Sequence, residues 1–465
     1  MLSRLSLVAL CISAAGGQTL DTVVHFPREV DELFYVPGGN KLYVTAYVRD
    51  TWTDHIHILD CSTMVVRAVV RTGSRFGDRR AAWSPHHNKV YLGVHWGGPD
   101  TAGLLVIDNS TDSVVRRLPV GVYMRGIAYS STSDKLYTVT GQGGIITALD
   151  CAADTVLAVI KPPDYSPDWV ALWDSVGMKI YVGCSGWTNC DRVTVVDCIT
   201  DSVVAVIRSG IVCPCIGVYN PFRRKIYLGA QGDYGVCAVD CAGDTVAARF
   251  DSIWSDFDQV PAYCSAGDKL YWFDYRGPIY VIDCGTDSIV RHIPAPGGND
   301  VSYIAYAEWS NRLYVASHIP RYANLLTVFD CRTDSIIGQT RFGRNASARE
   351  IVCNPVDHRI YISVRWDSAV YVFIEELQPI REQPALGRPV HAIRVWPNPA
   401  RDQIWLRNPG PVPLYSACGR RVTTLLPGPN DIRHLASGVY FATPHPRPLP
   451  QGEREAAVRK IVVQR

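Results

Sequence analysis

Two absences narrow the function of this chain before any motif is considered. First, the chain has no marked surplus of charge of either sign, because it contains 46 Lys and Arg residues and 44 Asp and Glu residues. Nucleic-acid-binding proteins normally carry a basic surplus or a basic stripe, so we expect no nucleic-acid partner. The other is a long apolar run. No stretch reaches the ~18 uninterrupted apolar residues of a membrane helix, so we expect no transmembrane segment.

The sequence also lacks the short signatures of catalysis and of metal binding. It contains no G-x-S-x-G, H-E-x-x-H, Walker or EF-hand motif, and no pair of C-x-x-C motifs of the kind found in zinc sites. His55 and His57 lie two residues apart in a predicted strand. They form either a metal site or, as we favour, an ordinary pair at a strand edge. We therefore predict no catalytic residue, no metal and no cofactor.

The first 17 residues have the build of a signal peptide. Arg4 supplies a positive start, residues 5–13 an apolar middle, and residues 14–17 a small-residue cleavage region. We expect this segment to be removed on export. Export makes disulfides possible, because they persist in oxidising compartments.

Two phrases recur along the chain with the same period. The first is an apolar strand that ends in Asp, in most copies followed by Cys, and then Asp-Ser or Asp-Thr and a second apolar strand. Its leading Asp residues, 42 to 48 positions apart, are Asp60, Asp108, Asp150, Asp197, Asp240, Asp283 and Asp330. The second phrase is a basic residue, an aliphatic residue and Tyr. It begins at positions 41, 89, 135, 179, 225, 269, 312 and 359. This period is typical of the four-stranded blade of a β-propeller.

The count of phrases predicts an all-β, eight-bladed propeller over residues 18–377, with seven blades as the alternative if one unit is degenerate. The last unit has three strands and lacks the fourth. The segment LDTVVHFP at 20–27 matches the missing strand. We therefore expect residues 21–26 to pair with the strand at 369–375 and close the ring, which would leave no exposed edge there.

The repeated Asp and Cys residues have a structural interpretation. An Asp at the end of a strand accepts backbone N–H bonds in the following turn. The repeated Cys residues occupy equivalent places in separate blades, too far apart for disulfides, and are expected to be small buried hydrophobes. Cys184 and Cys190 are different, because they flank a five-residue loop whose ends either join in a disulfide or stay apart.

The periodicity stops after residue 377. A Pro-containing stretch at 378–391 is expected to be a linker, and residues 392–465 form a second region with short strand-like segments. Within it, residues 443–456 carry several prolines, which cannot belong to paired strands, so we expect a disordered insertion.

These two regions resemble known families. The repeats resemble the YVTN family of β-propellers over about residues 20–377. The C-terminal region is similar to the sorting domain of type IX secretion cargo, through the segments PNPA, ACGRRV and GVYF and a basic-apolar tail. The matching residues are Pro397, Asn398, Pro399, Gly419, Arg420, Gly438, Val439, Tyr440 and Phe441. This resemblance implies a small β-sandwich, a bacterial outer-membrane export machinery as a partner, and a secreted or cell-surface location.

Candidate binding residues come from the loops between the second and third strands of the blades. These loops vary most between blades, and they combine aromatic residues with Arg and His, as recognition surfaces do. The candidates are Tyr47, Arg49, Trp52, His55, His95, Trp96, Asp100, Trp187, His318, Arg321, Tyr322, Arg365 and Trp366.

The sequence therefore favours a non-enzymatic binding or scaffold propeller, which recognises an extracellular protein, peptide or glycan through its loops. One alternative is an extracellular hydrolase or lactonase with a site at the central channel, which would gather carboxylates, His or Arg at the channel mouth. A second is a structural surface-layer component, which would present polar and featureless loops.

Overall fold

The computed structural model divides the chain into two units, residues 1–377 and 378–465. In the first unit it describes residues 18–48, 53–72, 75–96, 103–121, 123–141, 144–162, 167–184, 190–256, 259–274, 277–296, 300–319, 323–344 and 348–375. In the second unit it describes residues 394–396, 402–407, 412–416, 421–426, 428–433, 435, 438–442 and 459–463. The segments predicted to be a signal peptide (1–17), a linker (378–391) and a disordered insertion (443–456) lie outside the described residues.

The described residues of the first unit form 32 strands and no α-helix. The strand that precedes the first blade is β1 (Gln18–His25). Blade 1 is formed by β2 (Glu29–Val36), β3 (Lys41–Val48), β4 (Thr53–Asp60) and β5 (Val65–Arg71), and blade 2 by β6 (Arg75–Ser84), β7 (Lys89–Trp96), β8 (Gly103–Asp108) and β9 (Ser113–Leu118). Blade 3 is formed by β10 (Met124–Ser130), β11 (Lys135–Thr140), β12 (Ile145–Asp150) and β13 (Thr155–Ile160), and blade 4 by β14 (Pro167–Asp174), β15 (Lys179–Cys184), β16 (Arg192–Asp197) and β17 (Ser202–Arg208). Blade 5 is formed by β18 (Ile216–Asn220), β19 (Lys225–Gly229), β20 (Asp233–Asp240) and β21 (Thr245–Ser255), and blade 6 by β22 (Ala262–Cys264), β23 (Lys269–Phe273), β24 (Ile279–Asp283) and β25 (Ser288–Ile293). Blade 7 is formed by β26 (Asp300–Ala307), β27 (Arg312–Ile319), β28 (Ala323–Asp330) and β29 (Ser335–Phe342). Blade 8 is formed by β30 (Ala348–Asn354), β31 (Arg359–Val364) and β32 (Ala369–Glu375), together with β1.

Each blade is a four-stranded antiparallel sheet whose strands pair in chain order. The first strand of each blade contacts the first strand of the next, and β30 of blade 8 contacts β2 of blade 1. The first strands therefore form the inner wall of a closed ring. This confirms the predicted eight-bladed propeller and excludes the seven-bladed alternative.

The N-terminal strand closes the ring as predicted. β1 pairs antiparallel with β32, from Gln18 opposite Glu375 to His25 opposite Ala369. The last blade is therefore built from both ends of the first unit, and its outer position is occupied by the start of the described chain.

The hydrophobic core lies between the blades. Eight clusters of buried side chains each draw on two adjacent blades, including one that joins blade 8 to blade 1. The Tyr of the second phrase is buried in every blade, as Tyr91 and Tyr181 illustrate. The apolar residues of the third strands, such as β8, thus pack against neighbouring sheets on both faces, whereas fourth strands such as β9 and β13 are largely exposed.

The two ends of the blades differ in their connections. Every connection between first and second strands has four residues, and so does every connection between third and fourth strands in blades 1 to 7. We call this end the hairpin face. The opposite end has the connections between second and third strands, which range from three to seven residues, and we call it the loop face.

The repeated Asp residues shape the hairpin face. Asp60 Oδ1 accepts hydrogen bonds from the backbone N–H groups of Ser62 (2.9 Å) and Thr63 (3.1 Å), as predicted for an Asp that ends a strand. The same contacts recur at Asp108, Asp150, Asp197 and Asp283. The Cys residues that follow, at 61, 151, 198, 241, 284 and 331, are buried and carry no disulfide.

The two repeated phrases meet at the boundary between blades. Lys135 Nζ lies 2.7 Å from Asp201 Oδ2 in the next blade, and Tyr137 donates to Asp201 Oδ1 at 2.6 Å. We call this three-residue contact the interblade clamp. The basic residue and the Tyr of one phrase thus bind the second Asp of the other.

The second unit contains two small sheets. One is formed by β33 (Arg394–Trp396), β34 (Gln403–Arg407) and β37 (Gly428–Asp431), and the other by β35 (Val412–Ser416), β36 (Arg421–Leu425), β38 (Gly438–Ala442) and β39 (Arg459–Val463). Ile404 from the first sheet and Leu414 and Tyr440 from the second belong to one buried cluster, so this unit has a core of its own.

Candidate binding site at the loop face and the central channel

One position of the repeat lines the central channel. Glu32, Val260 and Glu350 each stand nine residues before the basic residue of the second phrase, in blades 1, 6 and 8. All three line a single cavity of about 280 Å³. Because blade 7 separates blade 6 from blade 8, a cavity that reaches blades 6, 8 and 1 must include the channel.

The same cavity extends between blades 1 and 2. Its remaining walls come from the first three strands of blade 1 and the first two of blade 2, with Leu33 and Phe34 on one side and Ala81 and Leu92 on the other. The small side chain of Ala81 leaves space at this blade boundary. The result is an apolar cleft that opens towards two carboxylates.

Next to these glutamates, charged side chains from blades 8 and 1 meet. Arg365 Nη2 donates to the carboxylate of Asp31, and Arg349 Nε lies 3.7 Å from Asp31 Oδ1. Ser363 Oγ also donates to the backbone oxygen of Asp31 at 2.5 Å. Asp31 and Arg349 stand one position before Glu32 and Glu350, so this cluster lies one residue nearer the loop face.

Arg365 was among the candidates named from the sequence, and it holds the loop of blade 8 against blade 1. The neighbouring Trp366 is 55% exposed on the same loop. A large aromatic side chain beside an arginine, on a loop held by an ion pair, is a typical arrangement for recognition.

The other described candidates lie on the two flanking blades. Tyr47 is at the loop-face end of β3, opposite Asp54, and His55 follows in β4. His318 is at the loop-face end of β27, opposite Asp300 and Asn324. The candidates whose side chains the structure describes therefore fall on blades 7, 8 and 1.

His55 and His57 have different surroundings. His57 is buried, and its ring makes an edge-on contact with Phe26, with 5.2 Å between the ring centroids. Burial lowers the pKa of both histidines. β4 is the third strand of its blade, so the prediction of an edge pair is wrong. Among the described residues, no three His, Cys, Asp or Glu side chains are grouped to hold a metal ion.

Several candidates cannot be placed. Arg49, Trp52, Asp100, Trp187, Arg321 and Tyr322 lie outside the described residues, as do Pro397, Asn398, Pro399, Gly419 and Arg420 of the predicted sorting motif. His95 and Trp96 belong to β7, but their side chains are not described. Gly438, Val439, Tyr440 and Phe441 form most of β38, where the side chain of Tyr440 is buried.

The loop of blade 4 is closed by a disulfide. Cys184, the last residue of β15, is bonded to Cys190, and their Cα atoms are 6.1 Å apart. The backbone oxygen of Cys190 also accepts the N–H of Cys213 at 2.6 Å, which ties this loop to the chain entering blade 5.

Sequence analysis did not identify four charged residues at the channel mouth, which are Asp31, Glu32, Arg349 and Glu350. For Glu32 and Glu350 the signal was available, because the equivalent position is apolar or glycine in blades 3 to 6, as Gly126, Val170 and Ile216 show. Aligning the inner strands by their distance from the basic residue would have revealed the charges. The closed ring is still needed to show that they meet.

The fold and the channel together define a class: the first unit is an eight-bladed β-propeller with a charged channel mouth. No protein-family model matches the chain, and no curated protein matches it. No helix in the described part of the chain is long and apolar enough to cross a membrane.

Proposed function

We propose that the chain is an exported, non-enzymatic binding protein that recognises a protein, peptide or glycan through the loop face of its propeller. The observation that supports this most is the channel mouth, where Arg365 is bound to Asp31 and Trp366 is exposed beside it. An anchored loop presents its aromatic side chain at a low entropic cost of binding.

The unequal faces of the ring support the same choice. The hairpin face is built from connections of constant length, and its side chains form the interblade clamps. The loop face has connections of three to seven residues. Specificity for a ligand requires features that differ between blades, and only the loop face offers them in quantity.

The test is a glycan and peptide array followed by affinity measurements on two matched variants. Trp366→Ala removes the exposed aromatic of the loop face. Phe222→Ala removes one of the hairpin face, which is 73% exposed. We expect the first to weaken binding of the array hit by about 30-fold and the second to leave it unchanged. The reverse pattern would place the ligand on the hairpin face. An array without hits would favour a structural role.

The enzyme alternative has one observation in its favour, which is that Glu32 and Glu350 line one cavity. Two carboxylates at a channel could serve as acid and base. A panel of ester and lactone substrates tests this reading. Turnover that is lost in Glu32→Gln or Glu350→Gln would replace the binding proposal with a hydrolytic one.

We propose that the second unit directs export. The support is the order of the sorting-type segments and the presence of Gly438 to Phe441 in a strand of a separately cored unit. Fusing residues 392–465 to a reporter, in a bacterium that has type IX secretion, should bring the reporter to the cell surface. A fusion retained in the periplasm would contradict the sorting role.

A further inference from the structure

The blade boundaries contain a second repeated contact, and it involves the buried cysteines of the hairpin face. The residue five positions before the basic residue of the second phrase ends the first strand, and it faces the Cys-bearing turn of the next blade. Ser130 of blade 3 hydrogen-bonds in this way to Cys198 of blade 4, and Asn220 of blade 5 to Cys284 of blade 6. At these boundaries the thiol has a hydroxyl or an amide as its neighbour.

The boundary between blades 6 and 7 has a cysteine on both sides. The residue that ends the first strand of blade 6 is Cys264, and it hydrogen-bonds to Cys331 in the turn of blade 7. No other blade has a cysteine at this position, where the residues are Val36, Ser84, Ser130, Asp174, Asn220, Ala307 and Asn354. Two thiols therefore meet where the other blades bring a thiol against a different group or have no cysteine.

Asn311, in the hairpin of blade 7, fixes both cysteines. Cys264 Sγ donates to Asn311 Oδ1 at 3.3 Å, and the N–H of Cys331 donates to the backbone oxygen of Asn311 at 3.1 Å. The backbone oxygen of Cys331 accepts a hydrogen bond from Lys269 Nζ of blade 6 at 3.3 Å. Both thiols are buried in one core cluster that spans the two blades. The boundary thus holds the two side chains together from both sides.

We propose that Cys264 and Cys331 form a disulfide that joins blades 6 and 7 when the chain folds in an oxidising medium. In the reduced protein the thiol of Cys331 donates to Cys264 Sγ, and oxidation replaces this hydrogen bond by a covalent bond at the same place. Asn311 Oδ1 loses the thiol of Cys264 as a donor but keeps the hydroxyl of Tyr306, which donates to it at 3.1 Å. The disulfide therefore leaves no buried acceptor without a partner.

The disulfide stabilises the ring by restricting the unfolded chain. It joins residues 67 positions apart and closes a loop that contains every strand from β23 to β28. A long loop loses much conformational freedom when its ends are joined. The same boundary already carries the clamp between Lys269 and Asp334, whose Nζ and Oδ2 atoms are 2.9 Å apart. The covalent bond would hold together two blades that the clamp joins only by charge and hydrogen bonds.

The chemistry requires a disulfide oxidant, for which oxidised glutathione suffices. One cysteine thiolate attacks a glutathione sulfur and releases one glutathione thiolate. As the boundary closes, the second cysteine thiolate attacks the protein sulfur of the mixed disulfide and releases the other, so two thiols and one oxidant give one disulfide and two reduced glutathiones. In the reduced boundary the hydrogen bond from Cys331 lowers the pKa of Cys264 to about 7, so that a thiolate is present there near neutral pH.

The first test is refolding of the reduced whole chain in a glutathione buffer, followed by alkylation and peptide mapping without reductant. We expect a peptide pair linked through Cys264 and Cys331. The Cys184–Cys190 bond is the internal positive control for oxidation. Refolded protein that contains the Cys184–Cys190 bond but is fully alkylated at Cys264 and Cys331 would overturn the proposal. Because the buffer supplies the oxidant, this result does not depend on the proposed export or on any ligand.

Two serine variants identify the pair. Cys264→Ser should fold, since Ser84 and Ser130 occupy the equivalent position in blades 2 and 3, and it should lose the linked peptide. Cys284→Ser is the matched control, because its neighbour is Asn220, and it should keep the linked peptide. Linkage of Cys331 to another cysteine in the unsubstituted protein would contradict the assignment of Cys264 as its partner.

Thermal unfolding with and without reductant measures what the bond contributes. Reductant breaks the Cys184–Cys190 bond in every variant, so the informative quantity is the difference between the shifts of two proteins. We expect reductant to lower the melting temperature of the unsubstituted protein by about 5 °C more than that of Cys264→Ser. Cys284→Ser should respond to reductant like the unsubstituted protein. Equal shifts in the unsubstituted protein and Cys264→Ser would refute a stabilising bond between blades 6 and 7.

Discussion

Lys89 Nζ in blade 2 lies 2.8 Å from Asp154 Oδ2 in blade 3, and both side chains are largely buried. Tyr91 donates to the other oxygen of the same carboxylate at 2.9 Å, and Lys89 also donates to the backbone oxygen of Cys151. Residues that look like two unrelated repeats in the sequence are therefore the two halves of one contact between blades.

This interblade clamp recurs around the ring with few changes. The Lys and Asp pairs are Lys41–Asp112, Lys89–Asp154, Lys135–Asp201, Lys179–Asp244, Lys225–Asp287 and Lys269–Asp334. The contact between blades 7 and 8 uses other residue types, because Arg312 of blade 7 pairs there with Glu375 of blade 8. At the boundary between blades 8 and 1 the clamp Asp is absent, because Met64 occupies its position in blade 1.

Replacing the clamp Asp should destabilise the propeller. Asp154→Met leaves the ammonium of Lys89 and the hydroxyl of Tyr91 without their acceptor at a buried boundary. We expect the free energy of unfolding to fall by about 2–4 kcal/mol. Denaturant unfolding measures this. A loss no greater than that of an exposed substitution such as Asp251→Asn would mean that the clamp is dispensable.

The reverse change should stabilise the chain. Met64 has a φ of 57°, a region that Asp adopts more readily than Met. By equivalence, a carboxylate at position 64 would face Arg359 and Tyr361. We expect Met64→Asp to raise the free energy of unfolding by about 1 kcal/mol, reduced by the nearby Asp357. Met64→Leu keeps the apolar contact without the charge and should not stabilise. Equal effects of the two would refute the explanation.

Ring closure by β1 should matter more than any single clamp. Deleting residues 18–26 removes the partner of β32, together with Val23 and Phe26 from two interblade clusters. We expect the melting temperature to fall by roughly 10 °C or more, corresponding to several kcal/mol. Deleting residues 392–465 is the control and should leave the propeller transition in place. An unchanged transition after the N-terminal deletion would contradict closure by this strand.

Asp174 should make stability depend on acidic pH. Burial alone would raise the pKa of Asp174, but hydrogen bonds from Tyr219 (2.7 Å) and Arg224 (3.0 Å) offset it and lower the pKa below 3.8. A carboxylate whose pKa is lower in the folded state than in the unfolded state stabilises the fold at pH values above its unfolded-state pKa. This stabilisation is lost as the pH falls from the unfolded-state pKa through the folded-state pKa. Asp174→Asn should be less stable at neutral pH and lose less stability between pH 5 and about 2. Parallel pH curves for the two proteins would argue against this role.

The sequence predicted the parts of the fold that depend on local chemistry and on periodicity. The alternation of apolar residues and the turn-forming Asp residues indicate strands and hairpins in each unit, because both act within a few residues. The unpaired last unit and the matching segment at 20–27 even predicted how the ring closes. The resemblance of the C-terminal region suggested a separate unit, and a second core is present there.

The candidate site was predicted less completely. The variable loops drew attention to Arg365 and Trp366, which differ from their equivalents in other blades. Asp31, Glu32 and Glu350 looked like ordinary charged residues of a strand, because nothing local distinguishes a channel-facing position from a solvent-facing one. Cys264 likewise gave no sign of its proximity to Cys331, 67 residues later in the sequence.

The sequence by itself determined that the chain forms eight similar four-stranded units, since strand and turn preferences are properties of short segments. Only the tertiary structure decided what those units bring together: the Lys–Asp clamps, the two glutamates of one cavity, and the cysteines of blades 6 and 7 that share one core cluster. Each of these contacts joins different blades, so its distance depends on how whole sheets pack around the ring. The energy of that packing is spread over all eight interblade cores, and no single segment contains it.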